Sequence, residues 1–312
     1  MALTAYALRR LTCGRWRRYN DTMSDVVTRC DVGLFDLRLR LEADNARALA
    51  AARAQFGDRP GEGGCLHIGL RRYAVSDGNF ERVTGQHLRL RRDGFALDAN
   101  GATGTGEILY PAADHPLLPE MIETAALFLA AQADRTPLHA GAVMLGDVAL
   151  VLAGPSGMGK SSLALAGARA GLPVLSEDTL YIQTAPRLRL WSRTSAIHLL
   201  EESAPPDMPG PRRFRSGRWK RVLPLAAARQ SADRAMLCVL ARGERAALTA
   251  LLPEEAVMRL TRAPEPGYEF YGDRMASAVR SLAREGCWQL ALSRDPAEAI
   301  AALQRHFACA CA

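Results

Sequence analysis

The run Gly154-Pro155-Ser156-Gly157-Met158-Gly159-Lys160-Ser161 fits the pattern G-x-x-x-x-G-K-[ST]. With Ser162 it has the composition of a loop that cradles phosphates. Glycines let successive backbone N–H groups turn inward around phosphate oxygens, and a following helix N-terminus adds partial positive charge at the same point. Lys160 can place a compact ammonium between β- and γ-phosphates, which a planar guanidinium does less well in a narrow loop. Ser161 supplies a hydroxyl for Mg²⁺. Lysine at this position is set against a strong bias, because the chain has 38 arginines and only one other lysine, Lys220. Eighteen residues beyond Lys160, Glu177 and Asp178 close the short apolar stretch 174–176. A strand end there can face a γ-phosphate, so Glu177 is a metal candidate and Asp178 a candidate general base.

These residues need elements to hold them. Residues 148–152 (VALVL) read as a buried strand entering the glycine loop, and an Ala/Leu-rich helix from 160 to 170 leaves it, ended by Gly171. Residues 138–145 pair with 148–153 as a hairpin across Gly146-Asp147. Further strands are expected at 187–191 and 236–241, and helices at 119–133, 272–285 and 295–307. The last has Asp295 as N-cap, Pro296 at N1 and Glu298 at N3. Residues 30–110 are strand-like, and 100–107 (NGATGTGE) is a second glycine-rich stretch without the strand and helix that a phosphate cradle requires. Residues 203–221, rich in proline, glycine and arginine, read as a mobile loop. The expected class is α/β, with a mixed sheet and flanking helices at 119–312, a smaller strand-rich α+β domain at 26–118, and a basic extension at 1–25 within which Met23 offers another start.

The 312 residues suffice for about two domains. Hydrophobic content of 48% and charged content of 23% are those of a globular protein rather than a disordered one. No uncharged apolar run approaches the ~18 residues that span a bilayer, and the first twenty residues carry their charges after a short apolar stretch, the reverse of a secretory signal. Seven scattered cysteines without CxxC spacing argue against structural zinc or a disulfide framework and fit a reducing cytoplasm. The net charge of +7 is two patches on a mildly acidic remainder. Arg9, Arg10, Arg15, Arg17 and Arg18 form one. Arg212, Arg213, Arg215, Arg218, Lys220 and Arg221 form the other, with Phe214 and Trp219 available for stacking. A uniformly basic nucleic-acid binder is not indicated. Arg218, Lys220 and Arg221 are the candidate clamp for nucleotide phosphates or an acidic peptide.

Thr136-Pro-Leu-His139, the hairpin, GPSGMGKS, Ser176-Glu-Asp178 and His198-Leu-Leu-Glu201 together resemble the catalytic domain of bacterial HPr kinase/phosphorylase, over roughly residues 136–300. The resemblance implies an ATP- and Mg²⁺-dependent serine kinase. In it Asp178 matches the base that takes the serine proton, His139 a histidine beside that base, Ser161 a Mg²⁺ ligand, and Glu201 a second metal-associated acid. It also implies possible self-association. Glu177 stands where the family has an aspartate. The stretch Pro264-Glu-Pro-Gly-Tyr268-Glu269 lacks the arginine and asparagine of the loop that serves phosphorolysis, so kinase activity alone is expected. Residues 1–118 do not resemble the family's usual N-terminal domain, which points to another substrate. The two-domain chain is similar to the subgroup that phosphorylates the C-terminal serine of lasso-peptide precursors. His198, on an apolar strand, reads as structural. A non-catalytic ATP-sensing module that binds a partner, and a P-loop kinase of a small molecule, stay open as alternatives.

Overall fold

The computed structural model describes residues 27–307 apart from 57–59, 74, 76–77, 206–209, 216–217, 226–227 and 266. The 1–25 extension and the last two of the seven cysteines, Cys309 and Cys311, lie outside the described residues.

The first half builds one seven-stranded sheet. Its strands are β1 (Thr28–Leu34), β2 (Leu37–Ala43), β3 (Cys65–Arg72), β4 (Phe80–Thr84), β5 (His87–Arg92), β6 (Phe95–Asn100) and β7 (Thr105–Tyr110), in the order β1-β2-β3-β7-β6-β5-β4. Alternation decides which face is buried. In β2 every second residue (Leu37, Leu39, Leu41, Ala43) is buried, and Arg38, Arg40 and Glu42 point the other way. The covered face packs against α1 (Ala46–Phe56) and α2 (Leu118–Gln132). α1 is a helix that the strand-like reading of 30–110 passed over. Its signal was an alanine-rich run behind Asn45, whose side-chain oxygen accepts from the Arg47 N–H at 2.8 Å. The stretch 100–107 is the β6–β7 hairpin turn rather than a phosphate cradle. α2 buries Met121, Ile122, Ala125 and Leu129 in the first sheet's core. The helix grouped by sequence with the second domain therefore belongs to the first core, and the two cores part between Ala133 and Leu138.

The second sheet contains β8 (Thr136–Leu145), β9 (Val148–Ala153), β10 (Val174–Ser176), β11 (Thr179–Gln183), β12 (Arg189–Trp191), β16 (Ser231–Ala232), β17 (Arg234–Arg242), β18 (Ala247–Ala250) and β19 (Cys287–Leu292). The path runs β16-β12-β11-β8-β9-β17-β19-β18, with β10 also on β8 and with β17 parallel to both β9 and β19. Helices cover both faces. α3 (Lys160–Arg169) and α6 (Pro296–Phe307) lie on one, α4 (Pro253–Thr261) and α5 (Gly272–Leu282) on the other. All six residues of β9 are buried accordingly, the signature of a central strand. Asp295 does cap α6, its carboxylate accepting from the Ala297 N–H at 2.9 Å.

A third, three-stranded sheet corrects the reading of 203–221 as a loop. β13 (Ala196–Leu200), β14 (Arg212–Arg215) and β15 (Arg218–Pro224) pair antiparallel in the order β13-β15-β14. Ile197 and Leu199 join the core under α3. Cross-strand pairing, of β15 with β13 and of β14 with β15, makes strands of segments whose own composition reads as a solvated loop. The two large sheets meet at Arg135, whose Nη2 donates to both carboxylate oxygens of Asp36 at 2.6 and 2.7 Å and whose Nε donates to one of them at 3.1 Å, and at the Phe35 ring, 4.8 Å from that of Tyr181. Among the described residues no helix is long and apolar enough to cross a membrane.

Candidate functional site

Register brings the candidate residues to one edge of the second sheet. β8 runs antiparallel to β9 with Ala140 opposite Ala153, which places His139 beside Gly154. On its other edge β8 pairs with β11, His139 opposite Thr179, and with β10. The Ser176 hydroxyl donates to the Ala140 carbonyl at 3.0 Å and locks the end of β10. Glu177 and Asp178 are the two residues between β10 and β11, so they open onto the start of the glycine loop.

The loop itself turns on Gly157 and Gly159, both left-handed at φ 75° and 110°, a conformation costly for residues with a Cβ. Gly159 is the residue before α3, so the helix N-terminus opens directly into the loop. Arg242, at the end of β17, donates to the Gly157 carbonyl at 2.9 Å. Lys160 is only 5% exposed, and its ammonium donates to the carbonyls of Gly154 (2.7 Å) and Pro155 (3.0 Å). Burial pulls its pKa down, while the carboxylates of Glu265 and Asp178 act to keep it charged.

Two linked contacts follow at the next residue of α3. Ser161 Oγ donates to Glu177 Oε2 at 3.0 Å, and the other oxygen of Glu177 lies 2.9 Å from His198 Nδ1. Beside them, His139 Nε2 lies 3.3 Å from Asp178 Oδ1, and its Nδ1 is 2.6 Å from Glu265 Oε2, out of line for a hydrogen bond. The ring stacks on Tyr268, whose hydroxyl shares a 2.7 Å hydrogen bond with Thr179; burial pushes that phenol up to about 12. Asp178 keeps 59% of its side chain exposed, whereas Glu177 keeps 9%. One carboxylate is accessible to an incoming group and the other is enclosed.

The structure thus gathers Lys160, Ser161, Glu177, Asp178 and His139. It turns Glu201 elsewhere: its carboxylate takes Arg221 at 2.6 Å and Arg212 at 3.5 Å, and the Arg221 hydrogen bond lowers its pKa. Arg221 is correspondingly occupied and leaves the candidate clamp, whereas Arg218 and Lys220 lie exposed or half-buried on β15. His198, read from sequence as structural, reaches the site, and Glu265, Tyr268 and Arg242 are additions. Glu265 and Tyr268 come from the link between α4 and α5, about ninety residues beyond Asp178, and no local pattern marks them. Alongside the loop, Met158, Ser162, Ala166, Leu292, Arg294 and Pro296 line a cavity of ≈ 650 Å³.

Ser161 and Glu177 offer oxygen donors, the chemistry preferred by Mg²⁺, an ion usually held by one or two protein groups together with substrate phosphates. Among the described residues, no three His, Cys, Asp or Glu side chains form a cage of their own for a metal. No family model matches the chain, and no curated protein matches it. Among solved structures it is similar to the Hpr(Ser) kinase/phosphatase from Coxiella burnetii, at 10% identity and a TM-score of 0.30, over 56% of this chain and 97% of that one.

Proposed function

We propose that this chain is an ATP- and Mg²⁺-dependent kinase that phosphorylates a serine of a peptide or small protein, the C-terminal serine of a precursor peptide being the acceptor class to test first. The observation that carries the reading is the pairing, at one strand end, of an enclosed carboxylate bonded to Ser161 with an accessible one beside His139, around the buried Lys160. Glycine-loop N–H groups and the α3 N-terminus bind the β- and γ-phosphates, and the ≈ 650 Å³ cavity takes the nucleoside. Lys160 turns from its two carbonyls to the phosphates. The serine oxygen attacks the γ-phosphorus as its proton passes to Asp178, the bond to the bridging oxygen breaks, and ADP leaves. His139 orients Asp178. Ser161 and Glu177 would hold Mg²⁺, which when bound supplies charge neutralisation on the phosphate oxygens.

The test is intact-mass analysis after incubation with ATP, Mg²⁺ and a peptide ending in serine. One phosphate on the peptide, absent when that serine is alanine, is the expected result. Asp178→Asn should keep ATP binding and lose transfer by at least about 10²-fold, the lower range for general-base catalysis. Transfer at the wild-type rate by this variant removes Asp178 as base. Tight ATP binding with no transfer to any peptide would favour the ATP-sensing module.

A further inference from the structure

The two faces of the three-stranded sheet differ in how their charges are answered. In register, Leu199 opposes Arg221 and Arg221 opposes Arg212, so these share the face of Ile197 and Leu199, which packs under α3. The cations on that face have Glu201 between them. The opposite face carries His198 and Leu200 on β13, Arg218, Lys220 and Val222 on β15, and Arg213 on β14. Among the described residues, neither Arg213 nor Lys220 has a carboxylate within ion-pairing distance, and Arg218 has only the exposed Glu202 at 3.7 Å. His198 fixes where this face looks, because its ring contacts Glu177, the residue before Asp178. Lys220 stands opposite Leu200, one same-face step of about 7 Å from His198, and Arg218 one step further. A row of cations, of which only Arg218 has a carboxylate partner among the described residues, therefore leads away from the accessible carboxylate.

From this row we infer that the face is a docking track for an acidic segment of the substrate polypeptide. The inference rests on the kinase reading and narrows its substrate class to a chain with acidic side chains about two to six residues from the acceptor serine, the span an extended peptide covers along these strands. Carboxylates of such a segment would answer Arg213, Arg218 and Lys220, and the extended chain would reach Asp178 with its hydroxyl. Apposed charge of this kind acts chiefly through steering and register, and it weakens with salt.

Two synthetic peptides test it, sharing the same serine but flanked by Glu/Asp or by Gln/Asn. Binding is read by fluorescence anisotropy with saturating ATP and Mg²⁺, and transfer with labelled ATP. Wild type should bind the acidic peptide at least ten-fold more tightly, with the gap closing as salt rises. The double variant R213E/K220E should abolish that preference or invert it toward a Lys-flanked peptide. If that variant does not fold, as read by its melting curve, Lys220→Gln should lower acidic-peptide affinity about three-fold. Equal affinity of wild type for both peptides, or a preference that survives charge reversal, overturns the inference. So does tighter, charge-dependent binding of a single-stranded DNA oligonucleotide. Acidic-peptide binding that follows the charges without phosphate transfer keeps the track and defeats the kinase reading. Transfer to both peptides at equal rates does the reverse.

Discussion

The two large sheets use the same element in different ways. The first is covered by helices on one face only, so its strands alternate, and its other face presents Arg38, Arg40, Arg89 and Arg91 with Asp98 and Glu107. The second is covered on both faces, and its central strands have no surface to offer. What it has is ends. Gly154, Glu177 and Asp178 sit where strands stop, and His139 stands beside them in β8, under Glu265 and Tyr268 from the link between α4 and α5. A one-sided sheet can display a face; a two-sided one concentrates chemistry on its rim, where backbone groups and side chains from separate strands converge in low-dielectric surroundings.

This contrast can be broken by substitution, most strongly at the rim. Lys160→Ala should cost at least about 10³-fold in transfer, near 4 kcal/mol of barrier, and should weaken ATP binding. Arg40→Ala on the first sheet's open face should leave both within a factor of two. Transfer rates and ATP titration decide it; comparable losses would mean that the faces and rims are not functionally distinct.

Core truncations sharpen the same contrast. Leu152→Ala in β9 and Leu41→Ala in β2 remove equally buried side chains, and each should cost about 2–5 kcal/mol in chemical denaturation. Only Leu152→Ala should also loosen ATP binding, since the glycine loop leaves its strand. A smaller effect is expected at the joint. Asp36→Ala strands the guanidinium of Arg135, 9% exposed, and should cost about 1–3 kcal/mol. In calorimetry the unfolding of the two sheets should separate into two transitions in this variant, against the single one expected of the native chain.

The smallest effect lies in the third sheet. Arg221 holds the Glu201 carboxyl below its ordinary value of 4.5. A carboxylate with a depressed pKa contributes stability that is full above its unfolded value and is lost as pH falls through its folded one. Hydrogen-exchange protection of β13–β15 should therefore persist down to about pH 4.5 and fade below it, and Glu201→Gln should flatten that dependence.

Much of the second sheet could be read from residues alone. The all-apolar run of β9, the glycine loop and the Ala/Leu helix form one local pattern, and Asp178 follows at a fixed spacing in the chain. Elsewhere the determinants are non-local. β15 is a strand because β13 offers it a ladder, and β14 because β15 does, not because RRFR or RWKR favours one. An apolar strand says nothing about what the polar side of His198 meets, and its partner Glu177 lies 21 residues earlier in the chain. Glu265 and Tyr268 approach His139 because α4 and α5 fold back over the strand ends, a packing decision with no trace in the text around them. The placement of α2 likewise shows only in three dimensions, where Met121, Ile122, Ala125 and Leu129 pack in the first sheet's core.

The turn at Gly146-Asp147 has a consequence out of proportion to its position. It lies some 20 Å from His139 along β8, and nothing there touches the site. Yet it is the gauge that sets β8 against β9, and β8 in turn sets β10 and β11. Deleting one residue from it would slide the strand by one step, turn the His139 ring to the opposite face of the sheet and part it from Asp178, with every side chain of the rim still present. The alignment of the site is thus adjusted from the far end of its own strands.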